Sequence, residues 1–348
     1  MTSLIGSRAA IAWVAILGCA CAALVLAADS GEPEHGAHEH HAMTDEQLAA
    51  LRAKIPLYRE YPDDAIMASM QRMKNSNALI SDAGVRNEVG ILALAHGFGE
   101  PGNTQFKSAL APVAKVYPTA VGLGMAMMTS GHIQSAIDDL EAAGARTIIV
   151  LPTTTGEHTT LVRQWEYIFG LRNDSAYLDV PLVTANAKLV MGRTPTTDPI
   201  VAFILADYAR QMSTDPANEM ALIVAHGPQD PGDNAKELAI LEKHAAEIQQ
   251  ATELSQVRFA TLQDDAPTAI RAANVERMRA WVEEANQAGK RVLVFSTLLT
   301  SQGGVSGRIR RDLDGLDFEY LDRGLTEHPV FEYWLTGSIS RGLKAGQG

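Results

Sequence analysis

The chain has 348 residues, of which 46% are apolar, 20% charged and 6% aromatic. This composition suits folded α/β units with buried cores and argues against disordered and fibrous proteins. The formal net charge of −12 also argues against a protein that binds nucleic acid by neutralising phosphates.

Residues 1–28 resemble an export signal. Arg8 precedes an apolar run over residues 9–28, and small residues near Ala27 offer a cleavage site. The two cysteines, Cys19 and Cys21, lie inside this run, so a cleaved protein has no thiol for disulfides or metal. Two alternatives stay open, because the run is long enough for a membrane anchor and the residues before Cys19 weakly resemble a lipoprotein site. We expect a periplasmic protein that contacts the membrane only if this segment is uncleaved.

A polar tract follows at residues 29–43, with four histidines interspersed among glutamates: His35, His38, His40 and His41. It is too polar to join a core, so we expect it to be mobile. Imidazoles beside carboxylates capture Co(II), Ni(II), Cu(II) or Zn(II) with modest selectivity, which makes the tract a candidate accessory metal arm. The alternative is a linker that clears the membrane.

Residues 44–87 are predicted to form a helical extension. Thr44 and Gln47 have the spacing of a capping box, and an apolar face runs on until Pro56. A second helix is predicted over Asp63–Met73, and the helical pattern continues to about Ser81.

From Glu88 onward, short β-branched apolar runs alternate with amphipathic stretches, which is typical of a parallel α/β sheet. The runs that we predict as buried strands are Val89–Ala95, Thr147–Leu151, Ala221–Ala225 and Val292–Phe295.

This part of the chain is an internal duplication. The stretch His96-Gly-Phe-Gly-Glu-Pro-Gly-Asn recurs as His226-Gly-Pro-Gln-Asp-Pro-Gly-Asp. An Ala-Gly-x-Arg strand entry and a closing Asp-Pro or His-Pro helix start also recur in the same order. We therefore predict two α/β repeats, at residues 88–215 and 216–343.

His96 and His226 each stand directly after a predicted buried strand. Ligands of open α/β sheets bind beyond the carboxyl ends of the strands, so both imidazoles should face the crevice. Gly97 and Gly227 remove side-chain bulk and should let a ligand approach the backbone. The alternative is that each histidine only closes its strand, because a duplication copies structural residues as well.

His158 lies in a polar loop after the third strand, just before an amphipathic helix. The helix dipole disfavours an imidazolium there, which leaves a neutral nitrogen for a metal or a proton. The alternative is a solvated residue at a helix start.

Taken in order and twice over, these motifs resemble the sirohydrochlorin chelatases of the CbiX and SirB type, from about Glu88 to Leu343. The resemblance implies an α/β fold of two Rossmann-like half-domains across a cleft, in which Co(II) or Fe(II), with Ni(II) also possible, enters a tetrapyrrole. The resemblance also implies that the tetrapyrrole is similar to sirohydrochlorin and that the reaction belongs to cobalamin biosynthesis. The sequence contains no phosphate-binding loop, consistent with a reaction that uses no nucleotide.

The resemblance also implies that His96 and His158 hold the metal and accept pyrrole protons. The chain departs from the family at Phe98 and Pro228, where a serine is usual. In the second repeat, Gly303 or Arg308 takes the place of His158, depending on the gap chosen.

We therefore assign the metal to the first repeat and the acidic groups of the tetrapyrrole to the second. Arginine forks suit carboxylates, and the candidates are Arg308, Arg310 and Arg311. The alternative is an ordinary solvated helix start that pairs with Asp312 and Asp314.

Two other functions stay open. An exported chain favours a periplasmic metal- or tetrapyrrole-binding protein, a metallochaperone without turnover, and the histidine-rich tract fits it. A solute-binding protein also has two α/β lobes, but it needs no repeated histidine at its strand ends. The oligomeric state is left open.

Overall fold

The computed structural model describes residues 43–72 and 74–346. The predicted export segment with its cysteines, and the four histidines of the polar tract, lie outside these described residues. Within the described ranges, none of the helices has the length and apolar character needed to span a membrane.

The N-terminal extension begins with two helices, α1 (Asp45–Lys54) and α2 (Asp63–Arg72), joined through a 3₁₀ turn at Pro56–Glu60. The predicted capping box is present, because the Thr44 hydroxyl accepts from the Gln47 N–H and the Gln47 side chain accepts from the Thr44 N–H.

The helical prediction fails for the end of the extension, where Ser76–Leu79 forms a strand, β1. This strand pairs antiparallel with Thr119–Leu123 at the edge of the first sheet. Cross-strand hydrogen bonds at that edge outweigh the local helical pattern, which carried no information about the partner strand.

The first repeat alternates strands and helices as predicted. Its elements are β2 (Val89–Ala95), α3 (Gly102–Ala114), β3 (Thr119–Leu123), α4 (Gly131–Ala142), β4 (Thr147–Pro152), α5 (Thr160–Ile168), β5 (Lys188–Met191) and α6 (Ile200–Met212). The sheet order is β1-β3-β2-β4-β5, and every pairing except that of β1 is parallel.

The second repeat follows the same plan. Its elements are β6 (Glu219–Ala225), α7 (Pro231–Thr252), β7 (Gln256–Thr261), α8 (Thr268–Gln287), β8 (Arg291–Ser296), α9 (Gly304–Asp312), β9 (Glu319–Tyr320) and α10 (Phe331–Gly346). The order β7-β6-β8-β9 reproduces β3-β2-β4-β5, and all of its pairings are parallel. The matching order confirms the duplication.

The last helix of each repeat packs against the other repeat. Helix α6 contacts α7 and β8, and helix α10 contacts α3, β4 and β5. One apolar core therefore contains buried residues of both sheets and both helices, among them Ile149, Tyr208, Phe295 and Trp334. The N-terminal extension instead packs on the opposite face of the first sheet, where Leu51 and Ile66 join a separate core.

Candidate active site

His96 and His226 lie where the sequence predicts, directly after the central strands β2 and β6 of the two sheets. The glycines that follow them, Gly97 and Gly227, have φ angles of +83° and +74°, which an L side chain rarely adopts. The surroundings of the two glycines differ, however. A Cβ at Gly227 would lie 2.5 Å from Thr261 Cβ, whereas the nearest atom at Gly97, an oxygen of Asn103, is 4.0 Å away. Open space for an approaching ligand therefore exists at Gly97.

His96 is exposed to solvent. Enough protein atoms lie near its imidazole, however, to desolvate the ring in part. Its ring lies 4.9 Å from that of Phe98, centroid to centroid. Burial and the nearby His226 lower the pKa of His96, while Asp265 and the Gly97 backbone act in the opposite direction. The neutral form of His96 is therefore favoured near pH 7.

The hydrogen bond of His226 defines its tautomer. Its Nδ1 lies 3.0 Å from the carbonyl oxygen of Gly227. A carbonyl only accepts hydrogen bonds, so Nδ1 carries the proton and Nε2 has the free lone pair in the neutral ring. Nε2 lies 3.9 Å from Oδ2 of Asp265. The free nitrogen of His226 is thus beside a carboxylate that is 55% exposed.

The structure therefore brings together His96, His226 and Asp265, the last of which the sequence analysis missed. The available signal was the Asp264-Asp265 pair just beyond β7, at the same edge of the sheet as His226.

Two buried tyrosines approach this acid from the first half of the chain. Burial and the charge of Asp265 raise the pKa of Tyr58 to about 12, and the same two causes raise the pKa of Tyr177.

His158 lies at the start of α5, as predicted, in a half-buried loop. The backbone N–H of His158 donates to Oε1 of Glu237 at 2.6 Å, and the backbone carbonyl of His158 accepts from Arg163 at 3.4 Å. His226 and Asp265 are among the groups that shift the pKa of His96, whereas Glu237 and Arg163 contact the backbone of His158. The joint binding of one metal by His96 and His158 stays a prediction. In the part of the chain that the structure describes, no three His, Cys, Asp or Glu side chains form a ready metal site.

Glu237 is a second residue that the sequence analysis missed. It lies on α7, in the other repeat from His158, and only 3% of it is exposed. Burial raises the pKa of its carboxyl to about 7, and the charges of Glu157 and Asp233 add to the rise, while the N–H groups of residues 157 and 158 oppose it. The available signal was helical spacing, because Glu237 lies four residues before Leu241 and eleven before Ile248, on the buried face of α7.

The structure corrects the residue that matches His158 in the second repeat. Leu94 pairs with Pro152 as Val224 pairs with Ser296, and the loops from there to α5 and α9 have equal length. Gln302 therefore stands at the place of His158, and Gly303 and Arg308 do not. A Cβ on Gly102, at the start of α3, would lie 3.6 Å from Gln302 Cβ. Each of these loops thus contacts the first helix of the other repeat.

Two of the three predicted acid-binding arginines, Arg308 and Arg310, have carboxylate partners. Arg308 donates to Oδ2 of Asp264 at 3.0 and 2.7 Å, and Arg310 lies 2.6 Å from Oδ2 of Asp322. Burial alone would raise the pKa of Asp264, but His226 and Arg308 are among the groups that lower it overall. A ligand carboxylate would have to share these arginines with acids of the chain.

No family model matches the sequence, and no curated protein matches it. Solved structures do. SirB from Bacillus subtilis, determined with Fe3+, is 15% identical, over 74% of this chain and 96% of SirB, at a TM-score of 0.54. CbiX, described as the terminal enzyme for biosynthesis of siroheme in denitrifying bacteria, is 14% identical over 72% and 98% of the two chains, at 0.47. A multi-domain protein from Deinococcus radiodurans with structural similarity to chelatases is 17% identical over 74% and 56%, at 0.46.

The chain thus has the chelatase fold of the CbiX and SirB type, as the repeated motifs predicted. Its α/β architecture, with two related Rossmann-like halves and an N-terminal extension, is confirmed.

Proposed function

We propose that the protein is a metal chelatase that inserts a divalent ion, Co(II) or Fe(II) with Ni(II) also possible, into a sirohydrochlorin-like tetrapyrrole without a nucleotide. The observation that carries the proposal is the placement of His96. It is a solvent-reachable imidazole at the end of the central strand of a chelatase fold, with the equivalent His226 nearby.

The chemistry of insertion favours neutral imidazoles. The ion exchanges water ligands for ring nitrogens, and two pyrrole N–H protons leave to a base. The site therefore needs weak ligands that are easily displaced and that also accept protons. The lowered pKa of His96 keeps its ring neutral near pH 7 and so available for both roles.

We assign His96 and His158 to the metal and the protons, and the second repeat to the tetrapyrrole. His226 and the open backbone at Gly97 would face the ring, with Gly227 shaping the His226 turn. Arg308 and Arg310 would bind the acidic substituents of the ring while they also keep their bonds to Asp264 and Asp322.

The alternative is a periplasmic metal- or tetrapyrrole-binding protein on the same scaffold, a metallochaperone without turnover. The four histidines of the polar tract favour it, because a separate metal-capturing arm suits a protein that delivers metal. Both candidates act in the periplasm if the first 28 residues are an export signal.

A spectroscopic assay tests the proposal. The protein without residues 1–28 is mixed at substoichiometric amounts with sirohydrochlorin and Co(II) or Fe(II), and the Soret and visible bands are followed. We expect multiple turnovers, and a fall of about 100-fold or more in the rate for His96→Ala and for His158→Ala. Gln302→Ala, at the loop position that matches His158, is the control and should keep most of the rate.

A spectral change that stops after one tetrapyrrole per protein molecule, without turnover, would instead support the binding protein. Wild-type rates in His96→Ala or His158→Ala would remove that residue from the site.

A further inference from the structure

The segment Lys54–Glu60 of the N-terminal extension contacts both repeats. On the first repeat, Nζ of Lys54 donates to the carbonyl oxygen of Ser175 at 2.5 Å and to its hydroxyl at 2.8 Å. Ile55 and Tyr58 are buried in the core that the extension shares with the first sheet. This side of the segment is therefore fixed to the first repeat by apolar packing.

The other side of the segment bonds to the second repeat at two points. The side-chain amide of Gln229 donates to the carbonyl oxygen of Lys54 at 2.9 Å. The carboxylate of Glu60 accepts from the N–H of Thr268 at 3.1 and 3.2 Å and from its hydroxyl at 2.5 Å. These bonds connect residues that are more than 170 positions apart in the sequence.

Both contact points flank the candidate site residues of the second repeat, His226 and Asp265. Gln229 belongs to the turn that begins with His226, and Thr268 begins α8 shortly after Asp265. Helix α8 has Pro267 at its N-cap and no side-chain cap of its own. Glu60 supplies the missing acceptor to the first turn of the helix, where the helix dipole also favours a negative charge.

The segment is braced from within. Arg59 donates to the carbonyl oxygens of Arg52 and Ala53 at 3.0 and 2.9 Å, so it satisfies carbonyls at the end of α1. Arg52 in turn bonds to Asp63 at 2.5 Å. These bonds limit the movement of the segment relative to the first repeat. The residues of the second repeat that bond to the segment are therefore held in place relative to the first repeat.

We infer that Lys54–Glu60 is a positioning element of the candidate site, which holds the loops of His226 and Asp265 in place against the first repeat. Glu60 is the positioning residue for the Asp265 loop, and the Lys54 carbonyl, through Gln229, positions the His226 turn. The effect on catalysis rests on the proposed function, whereas the effect on the two loops does not.

Hydrogen exchange of backbone amides tests the inference in the protein without residues 1–28. In Glu60→Ala, amides of residues 264–272 should exchange about tenfold faster than in wild type, while amides in the central strands stay unchanged. Glu60→Gln keeps one acceptor oxygen and should restore most of the protection. The matched control is Glu46→Gln, which removes an acid from α1 of the same extension. Gln229→Ala should loosen residues 226–233 in the same way.

Steady-state kinetics give a second reading if the chelatase activity is present. In Glu60→Ala, KM for the tetrapyrrole should rise about fivefold while kcat changes less than about twofold, because the loops that receive the ring are displaced.

The inference would be overturned if the amides of residues 264–272 in Glu60→Ala and of residues 226–233 in Gln229→Ala exchanged no faster than they do in Glu46→Gln. Faster exchange throughout the molecule would also overturn it, since that result marks a contribution to overall stability alone. A wild-type protein without turnover would refute the proposed function, and the exchange comparison would still decide the inference.

Discussion

A buried carboxyl at the contact between the repeats, that of Glu237, should make the stability of the fold depend on pH. Its pKa is raised to about 7 because the side chain is buried beneath the His158 loop, with two other acids nearby. The unfolded chain restores the ordinary value near 4.5. Between these two values the folded protein binds the proton and the unfolded chain does not.

The stabilising contribution of the Glu237 carboxyl should therefore be fully present below about pH 4.5 and be lost as the pH rises through 7. A shift of this size corresponds to about 3 kcal/mol of unfolding free energy over the whole titration, most of it between pH 5 and pH 8. In Glu237→Gln the group cannot ionise, and its amide oxygen can still accept the His158 N–H. We expect urea unfolding of this variant to show a flatter pH profile and greater stability than wild type at pH 8.

Glu242→Gln is the control for this measurement, since Glu242 is an exposed acid on the same helix. The explanation would be wrong if Glu237→Gln and wild type lost stability equally between pH 5 and pH 8.

Packing between elements sets a second expectation, at the contact of α10 with β4. A Cβ on Gly342 would lie 2.8 and 2.9 Å from side-chain carbons of Ile149, which is fully buried. The helix approaches the sheet this closely only because the position has no side chain. Gly342→Ala should therefore cost about 2 kcal/mol of unfolding free energy, through overpacking.

The same helix supplies the comparison for Gly342→Ala in chemical denaturation. At Gly337, a Cβ would meet only the flexible end of Arg341 at 3.3 Å. Gly337→Ala should be neutral or stabilise by up to about 1 kcal/mol, because alanine favours the helix. Equal effects of the two substitutions would show that the Gly342 contact adjusts freely.

The central strands were predictable because both of their faces are covered, which gives continuous apolar runs such as Val89–Ala95. Edge strands lack this signal. Ser76–Leu79 has mixed burial and depends on its pairing with β3, and Glu319–Tyr320 is too short to show a period. Their positions are determined by partners that lie far away in the sequence.

The residues of the candidate site also differ in how well the sequence predicts them. His96 and His226 could be found because a strand end and a repeated motif are both local patterns. Asp265 was overlooked because the acid pair beyond β7 stands beside His226 only once β7 is known to pair with β6. Gln302 could be matched to His158 only through the strand register, which the sequence does not contain.

On the scale of the whole molecule, the exchange of the last helices makes the two repeats mutually dependent. Helix α6 covers β8, and α10 covers β4, so each sheet is completed by the helix of the other repeat. Neither repeat can unfold without exposing apolar surface of its neighbour in the shared core. Chains of this length often unfold in several steps, yet this arrangement favours one.

We therefore expect a single cooperative transition when the protein without residues 1–28 is unfolded in urea. Trp165 on α5 reports on the first repeat and Trp281 on α8 reports on the second. In each variant that retains only one of these tryptophans, with phenylalanine at the other tryptophan positions, the midpoints from fluorescence and from circular dichroism should agree within about 0.2 M urea. Two separated midpoints would show that the repeats unfold independently and that the shared core contributes little to their coupling.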